Sequence, residues 1–296
     1  MSQKLLAERF ASAWERFPRG LRGDPTRAYE RLQVSLPFEQ AAGVDPDSEK
    51  PENVLRCVCI SDTHCRAAEI EAMPKGDVLI HAGDFTSLGR TKQVDVFSEF
   101  LKGLDFQHKI VIAGNHDLCF DDDYEALSKR FGVPTAELEA GREALNHCTY
   151  LLDSSVEIQG VKFYGSPWQP WFFDWAFNLE RGDPCTAKWQ EIPDDTDVLI
   201  THGPPVGHGD LCTSGQRAGC VDLLREIQTR VKPKLHVFGH IHEGYGTTTD
   251  GQTVFVNAST CTFNYRPTNP PLVFDVPIPA PVPSTSDSSS EKKAEE

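Results

Sequence analysis

The feature that most constrains how this chain folds is a set of five polar clusters, each placed directly after a short apolar run. CVCI leads into Ser61-Asp62-Thr63-His64, and VLIHA into Gly83-Asp84. IVIA leads into Gly114-Asn115-His116-Asp117, VLIT into His202-Gly203, and LHVF into Gly239-His240-Ile241-His242. Near-continuous apolar runs are expected of strands covered on both faces. In open α/β sheets, ligand sites collect beyond the carboxyl ends of the strands. Five such ends are therefore expected to converge on one crevice. The glycines at 83, 114, 203 and 239 suit loops that turn sharply beside a crowded centre. Taken singly, a Gly-Asp after a strand is a turn and a strand-end histidine is a core or surface residue. His81, His108, His147 and His236 are read in that way.

The surrounding chain alternates strands with helices. Strands are predicted over 54–60, 77–81, 109–113, 149–152, 156–159, 161–164, 197–201, 235–238, 253–256 and 272–276, and helices over 91–104, 124–131, 135–146 and 221–231. The mixture of hairpins and buried runs predicts two sheets packed together with helices outside. Residues 1–50 form an N-terminal extension. In it Leu6, Phe10, Trp14 and Phe17 are spaced for one face of an amphipathic helix that packs on the main domain. The main domain is expected over 51–276, after the polar linker GVDPDSEKPEN. Residues 277–296 are rich in Pro, Ser and charge, without apolar period, and predict a disordered tail. Nine cysteines are scattered without zinc-ribbon spacing. They read as buried reduced thiols and suit a reducing, cytoplasmic location. The N-terminus carries charges through its apolar residues, unlike a secretory signal. No run is long enough to span a membrane.

The clusters hold the chemistry of divalent-metal ligands. Imidazoles and carboxylates suit manganese first, with iron, zinc, cobalt, nickel or magnesium as alternatives. Three carboxylates or amides and four imidazoles are too many for one ion; they match two ions sharing a carboxylate. The formal net charge of -15 repels polyanions, so a nucleic-acid polymer is a poor substrate. A small phosphate ester remains suitable, because bound metal inverts the local charge.

The series Asp62-x-His64, Gly83-Asp84, Gly114-Asn115-His116-Asp117, His202 and Gly239-His240-x-His242 resembles the complete signature of the calcineurin-like metallophosphoesterase superfamily. The segments CISDTHCR, GDVLIHAGDFT, KIVIAGNHDL, YGSPWQPWFFDWAFNL, DVLITHGPP and LHVFGHIHEGYG are similar to its metallophosphoesterase domain-containing (MPPED) branch. The resemblance implies an α/β fold of four layers, αββα, in which two mixed β-sheets are flanked by helices and two metals sit at the strands' carboxyl ends. It implies that Asp62, His64 and His242 hold a first ion, that Asn115, His202 and His240 hold a second, and that Asp84 bridges them. It further implies phosphodiester hydrolysis, with cyclic nucleotides as the expected substrate, by a hydroxide shared between the ions. His116 would then act as general acid, with Asp117 and Asp84 either orienting it or raising its pKa. Some relatives have glycine in the place of His240, so its presence here implies a full dinuclear centre. Arg66, two residues past His64, either touches phosphate or faces solvent. The aromatic run 165–177 either packs a loop on the sheet or offers a nucleobase a stacking face, with Trp168 as its candidate substrate contact. The alternatives are a phosphomonoesterase or protein phosphatase, or a nucleotide-binding scaffold with low turnover.

Overall fold

A computed structural model describes residues 2–280; of the tail predicted over 277–296, residues 281–296 lie outside the described residues. Two sheets form the centre. The five-stranded sheet has the order Leu272–Pro277, Val54–Ile60, Val78–Ala82, His108–Ile112, Thr149–Tyr150. Its last four strands are mutually parallel, and Leu272–Pro277 runs antiparallel to Val54–Ile60. The seven-stranded sheet has the order Glu39–Gln40, Gly246–Thr249, Val254–Asn257, Leu235–Phe238, Val198–Thr201, Val161–Ser166, Ser154–Ile158. Four of these strands are parallel, and the antiparallel ones lie at the edges.

Side-chain alternation along each strand divides the core into three layers. Leu55, Cys57 and Cys59 point between the sheets, where they meet Phe163, Val198, Ile200 and Val237. Val58 and Ile60 point the other way, under Val94, Phe97 and Leu101 of the helix Thr91–Lys102. On the far side Leu199, Phe238 and Phe255 lie beneath Leu224 and Ile227 of the stretch Val221–Val231. The outcome is the expected αββα sandwich of mixed sheets flanked by helices.

The first helix, Gln3–Glu15, is part of this outer layer. Ser2 caps it, and Leu6 and Phe10 are buried against the seven-stranded sheet's helices, with Trp14 and Phe17 partly buried beside them. The Trp14 indole donates to Gln228 Oε1 at 2.9 Å. At the other end Pro277 still pairs with Val54, and the Ile278 amide donates to Asn53 at 2.9 Å. The helix predicted over 221–231 is α-helical only to Glu226, and a π-helical turn completes it. All nine cysteines are free, and five of them line the layers described. Among the described residues no helix is long and apolar enough to cross a membrane.

Candidate metal centre

Parallel strands from both sheets end at one edge of the sandwich. There Ser61 forms a bridge with Ser259, and Thr260 donates its amide to Ser61 at 2.7 Å, joining the two sheets beside the clusters. Each cluster must turn immediately out of its strand. Asp62, His64, Asp84 and His240 accordingly adopt positive φ of 50°, 42°, 56° and 66°. Non-glycine residues rarely sit there, and strain of this kind collects where a site needs particular side-chain directions.

The turns bring together the seven residues singled out in the sequence. Asp62, His64 and His242 form one group with ligand atoms within 4.8 Å of one another, and Asp84, His202 and His240 form a second. His64, Asp84 and His116 form a third. Asp84 Oδ2 lies 3.8 Å from His64 Nε2 and 3.4 Å from His202 Nε2, so one carboxylate faces both halves. Asn115 Oδ1 lies 3.0 Å from His202 Nε2. His64 and His242 point their Nε2 atoms at each other across 3.1 Å.

Backbone carbonyls fix several rings. His202 Nδ1 lies 2.9 Å from the Ala82 oxygen, and His242 Nδ1 lies 3.1 Å from that of Thr262. A ring whose Nδ1–H donates to a carbonyl presents Nε2 as a lone pair, the tautomer a metal takes. Asp62 is held by the Ser259 hydroxyl at 2.9 Å and by the His240 amide. The donor set therefore fits divalent metal: lone pairs of buried imidazoles, two carboxylates and an amide oxygen converge without enough protons to satisfy them.

In the metal-free centre the charges divide. Burial pushes His64 down to about 4 and His240 to about 3, which keeps both imidazoles neutral and ready to ligate. Burial also opposes charge on His202, but the adjacent Asp84 outweighs it and raises the imidazole to about 9. Asp62, which burial alone would push up, is held below the usual carboxylate range by His242.

The other candidates fall differently. His116 lies beside the centre: its amide donates to Asp84 Oδ1 at 2.8 Å, and its Nδ1 lies 3.0 Å from the Ser87 carbonyl. Asp117 does not reach the imidazole of His116 as the sequence reading supposed. Its fully buried carboxylate accepts from the amides of Asp84, Phe85, Thr86 and Gly114 and from the Thr86 hydroxyl. It thereby pins two of the ligand loops together. Arg66 is engaged by Glu69, at 2.9 and 2.7 Å, and by the Tyr265 carbonyl. Trp168 is also committed, its indole donating to Asp153 at 2.9 Å and packing edge-on to Phe177. His81 and His236 are buried core residues bonded to Thr63 and Thr201.

Three aromatic rings border the centre, Trp175 and Phe172 from the aromatic run 165–177 and Tyr265, which the sequence reading did not name. Trp175 lies on His116 with centroids 4.0 Å apart, and Phe172 meets His240 edge-on at 5.0 Å. Tyr265 meets His64 at 4.8 Å and His242 at 5.3 Å. Ser259 was also missed, although it follows the strand Val254–Asn257 as the other clusters follow theirs. The same strand-end rule would have found it.

Comparison with known proteins agrees with this geometry. The family described as calcineurin-like phosphoesterase matches residues 55–244. Metallophosphoesterase domain-containing protein 1 of Homo sapiens is 52% identical over 272 residues, covering 86% of this chain and 83% of its own. Its Mus musculus counterpart gives the same figures. A Caenorhabditis elegans protein is 44% identical over 270 residues, covering 86% of this chain and 68% of its own.

Proposed function

The chain belongs to the calcineurin-like phosphoesterase family of metal-dependent hydrolases of phosphate esters, and we propose that it cleaves phosphodiesters, cyclic nucleotides foremost, with two divalent ions, manganese by preference. The observation that carries the two-ion reading is Asp84, whose carboxylate faces His64 on one side and His202 on the other. Asp62, His64 and His242 would hold one ion and Asn115, His202 and His240 the other, with Asp84 shared. Ions held there would supply Lewis-acid polarisation of the phosphoryl oxygens and acidify water.

The chain's own residues define the rest. With Nδ1 committed to Ser87, His116 has Nε2 left for the cleft, where it carries a proton to the departing oxygen. Asp117 is a positioning residue that fixes the loops of Asp84 and Asn115. A diester suits the site better than a monoester dianion. Arg66, two residues past His64, is engaged by Glu69 and by the Tyr265 carbonyl rather than left free for a second phosphate charge. A diester carries one negative charge and needs no such cation. Tyr265, 47% exposed, and the half-buried Phe172 offer rings to a planar base.

The test is a turnover screen of the manganese-loaded protein on 3′,5′- and 2′,3′-cyclic nucleotides, nitrophenyl mono- and diesters, and single-stranded DNA. The expected order puts diesters above monoesters, with DNA uncleaved. Faster monoester hydrolysis would give the site to a phosphomonoesterase, and binding without turnover to a scaffold. His116→Ala should retain both ions and lose about 10²–10⁴-fold on a ribose leaving group, the usual worth of general acid catalysis. On a nitrophenyl diester its loss should be far smaller, because nitrophenolate departs without a proton.

A further inference from the structure

We infer that Trp175 is a positioning residue for His116, holding the imidazole at the angle from which its proton reaches the leaving oxygen. The inference rests on the reading of His116 as proton donor. Hydrogen bonding leaves that ring underdetermined. One bond from Nδ1 to Ser87, at 3.0 Å, allows the imidazole to swing about the bond axis. His64 meets it only edge-on, with centroids 4.8 Å apart and planes at 86°. Trp175 supplies the missing constraint, lying against the ring at 4.0 Å with planes 35° apart.

Trp175 is itself held from behind. Phe131, the last residue of the helix Tyr124–Phe131, packs on it with centroids 4.3 Å apart. The loop carrying Trp175 is fastened to the same helix end, where Arg130 pairs with Asp174 at 3.0 Å and donates to the Phe173 carbonyl at 3.1 Å. On the other side the Ala176 amide donates to the Asn115 carbonyl at 3.3 Å, and the Phe177 amide donates to the buried Asp121 at 2.6 Å. Phe173, Asp174 and Phe177 take positive φ of 47°, 52° and 57°, so the loop is bent at several points around Trp175. A rigid stack thus runs from the helix end through Phe131 and Trp175 to His116. Trp175 needs no contact with substrate to act. Displacement of a reacting group by about 1 Å can cost about 10²-fold in rate.

The experiment compares Trp175→Leu, Trp175→Phe, Phe131→Leu and His116→Ala in the manganese-loaded protein. Each is assayed on a cyclic nucleotide and on a bis-nitrophenyl diester, with metal content measured. Trp175→Leu should keep its metal and its KM and lose about 10²-fold in kcat on the cyclic nucleotide. On the nitrophenyl diester its loss should be only a few-fold. Trp175→Phe should recover most of the rate, and Phe131→Leu should show the same contrast at smaller size. If Trp175→Leu does not fold, those last two variants carry the test. In a His116→Ala background, Trp175→Leu should add no further contrast, because the two act as one unit. Equal losses on both substrates, or loss of metal, would make Trp175 a structural residue and overturn the inference; so would full activity. If His116→Ala itself shows no leaving-group contrast, the donor reading of His116 fails. If His116→Ala shows it and the Trp175 and Phe131 variants do not, only the positioning role of Trp175 fails.

Discussion

Gly114→Ala tests the centre through a residue that is no ligand. Gly114 stands between Asp84 and His202. A Cβ built on it would lie 2.6 Å from the Asp84 amide nitrogen and 2.5 Å from His202 Cε1, and it would also meet the Asp84 carboxylate. A Cβ does not come nearer than about 3.0 Å to such neighbours, so Asp84 must retreat by at least about 0.4 Å and His202 by about 0.5 Å. Metal sites keep ligand distances within about 0.2 Å. The required movement is therefore at least twice the tolerance, and it falls on the shared carboxylate and a histidine of the second group. Gly114 is not among the positive-φ glycines, so alanine can adopt its conformation and the damage is steric. Losses from disturbing the groups around metal ligands run at about 10–100-fold in affinity. Gly114→Ala should lie at the upper end for both ions, which is about 2.8 kcal/mol at about 1.4 kcal/mol per tenfold. Titration calorimetry with manganese on the stripped protein measures it. Gly20→Ala, where nothing lies within 4 Å, is the control. Two equivalents of manganese bound with unchanged affinity by Gly114→Ala would refute the placement of Asp84 and His202 as ligands.

Asp117→Ala should be more damaging to the fold than to the chemistry. It leaves four buried amides without their acceptor, at about 1–3 kcal/mol each, while the Thr86 hydroxyl can turn to the His116 carbonyl, so stability should fall by at least about 4 kcal/mol. Chemical denaturation measures the loss, and a drop under about 1 kcal/mol would show that water replaces the carboxylate. Phe10→Ala asks whether the first helix belongs to the folded unit. Its ring is fully buried, so truncation should cost about 3–5 kcal/mol, and an unchanged melting temperature would mean that the helix is an appendage.

Legibility in the sequence followed physical range. The runs at Val54–Ile60 and Leu235–Phe238 were read at their observed bounds, because nearly every residue in them is buried. The hairpin Ser154–Ile158 to Val161–Ser166 was visible too; Gln159 and Gly160 turn it with φ of 51° and 79°, as a tight hairpin loop requires. The helix Pro25–Leu32 was missed although Asp24 caps it and proline opens it, since only Ala28 and Leu32 are buried and its charges conceal the period. The strand Gly246–Thr249 is half-buried and threonine-rich, so it carries no apolar signal. At the site, the convergence of the seven candidate ligands was legible because each follows its own strand. Arg66 was decided by Glu69, a neighbour three residues on. Asp117, Trp175 and Tyr265 take their places from contacts across loops far apart in sequence, which no local pattern records.

Those contacts give the metal-free centre a pH dependence with a definite sign. The imidazole of His202 is raised from its ordinary 6.5 to about 9 by Asp84. A group raised in the folded state contributes stability that is fully present below its unfolded pKa and is lost as pH climbs through the folded one. In stripped protein the His202–Asp84 ion pair therefore supports the fold below about pH 6.5 and fades towards about pH 9. If His202 ligates as proposed, loaded protein should behave in the opposite sense, because metal needs the imidazole neutral and must displace its proton at low pH. The melting-temperature gap between manganese-loaded and chelator-stripped protein should thus widen from about pH 6.5 to about pH 9. At a free ion concentration 100 times Kd, each ion adds about 2.7 kcal/mol. For a protein of this size that is on the order of 5–10 °C at the upper end of the range. Thermal denaturation at fixed free manganese across that range, with His202→Gln alongside, makes the measurement. The variant should lose the pH dependence of the gap along with most of the second ion's contribution. A wild-type gap that stays constant or narrows as pH rises would show that His202 is neither protonated beside Asp84 in the stripped protein nor displaced of its proton by metal.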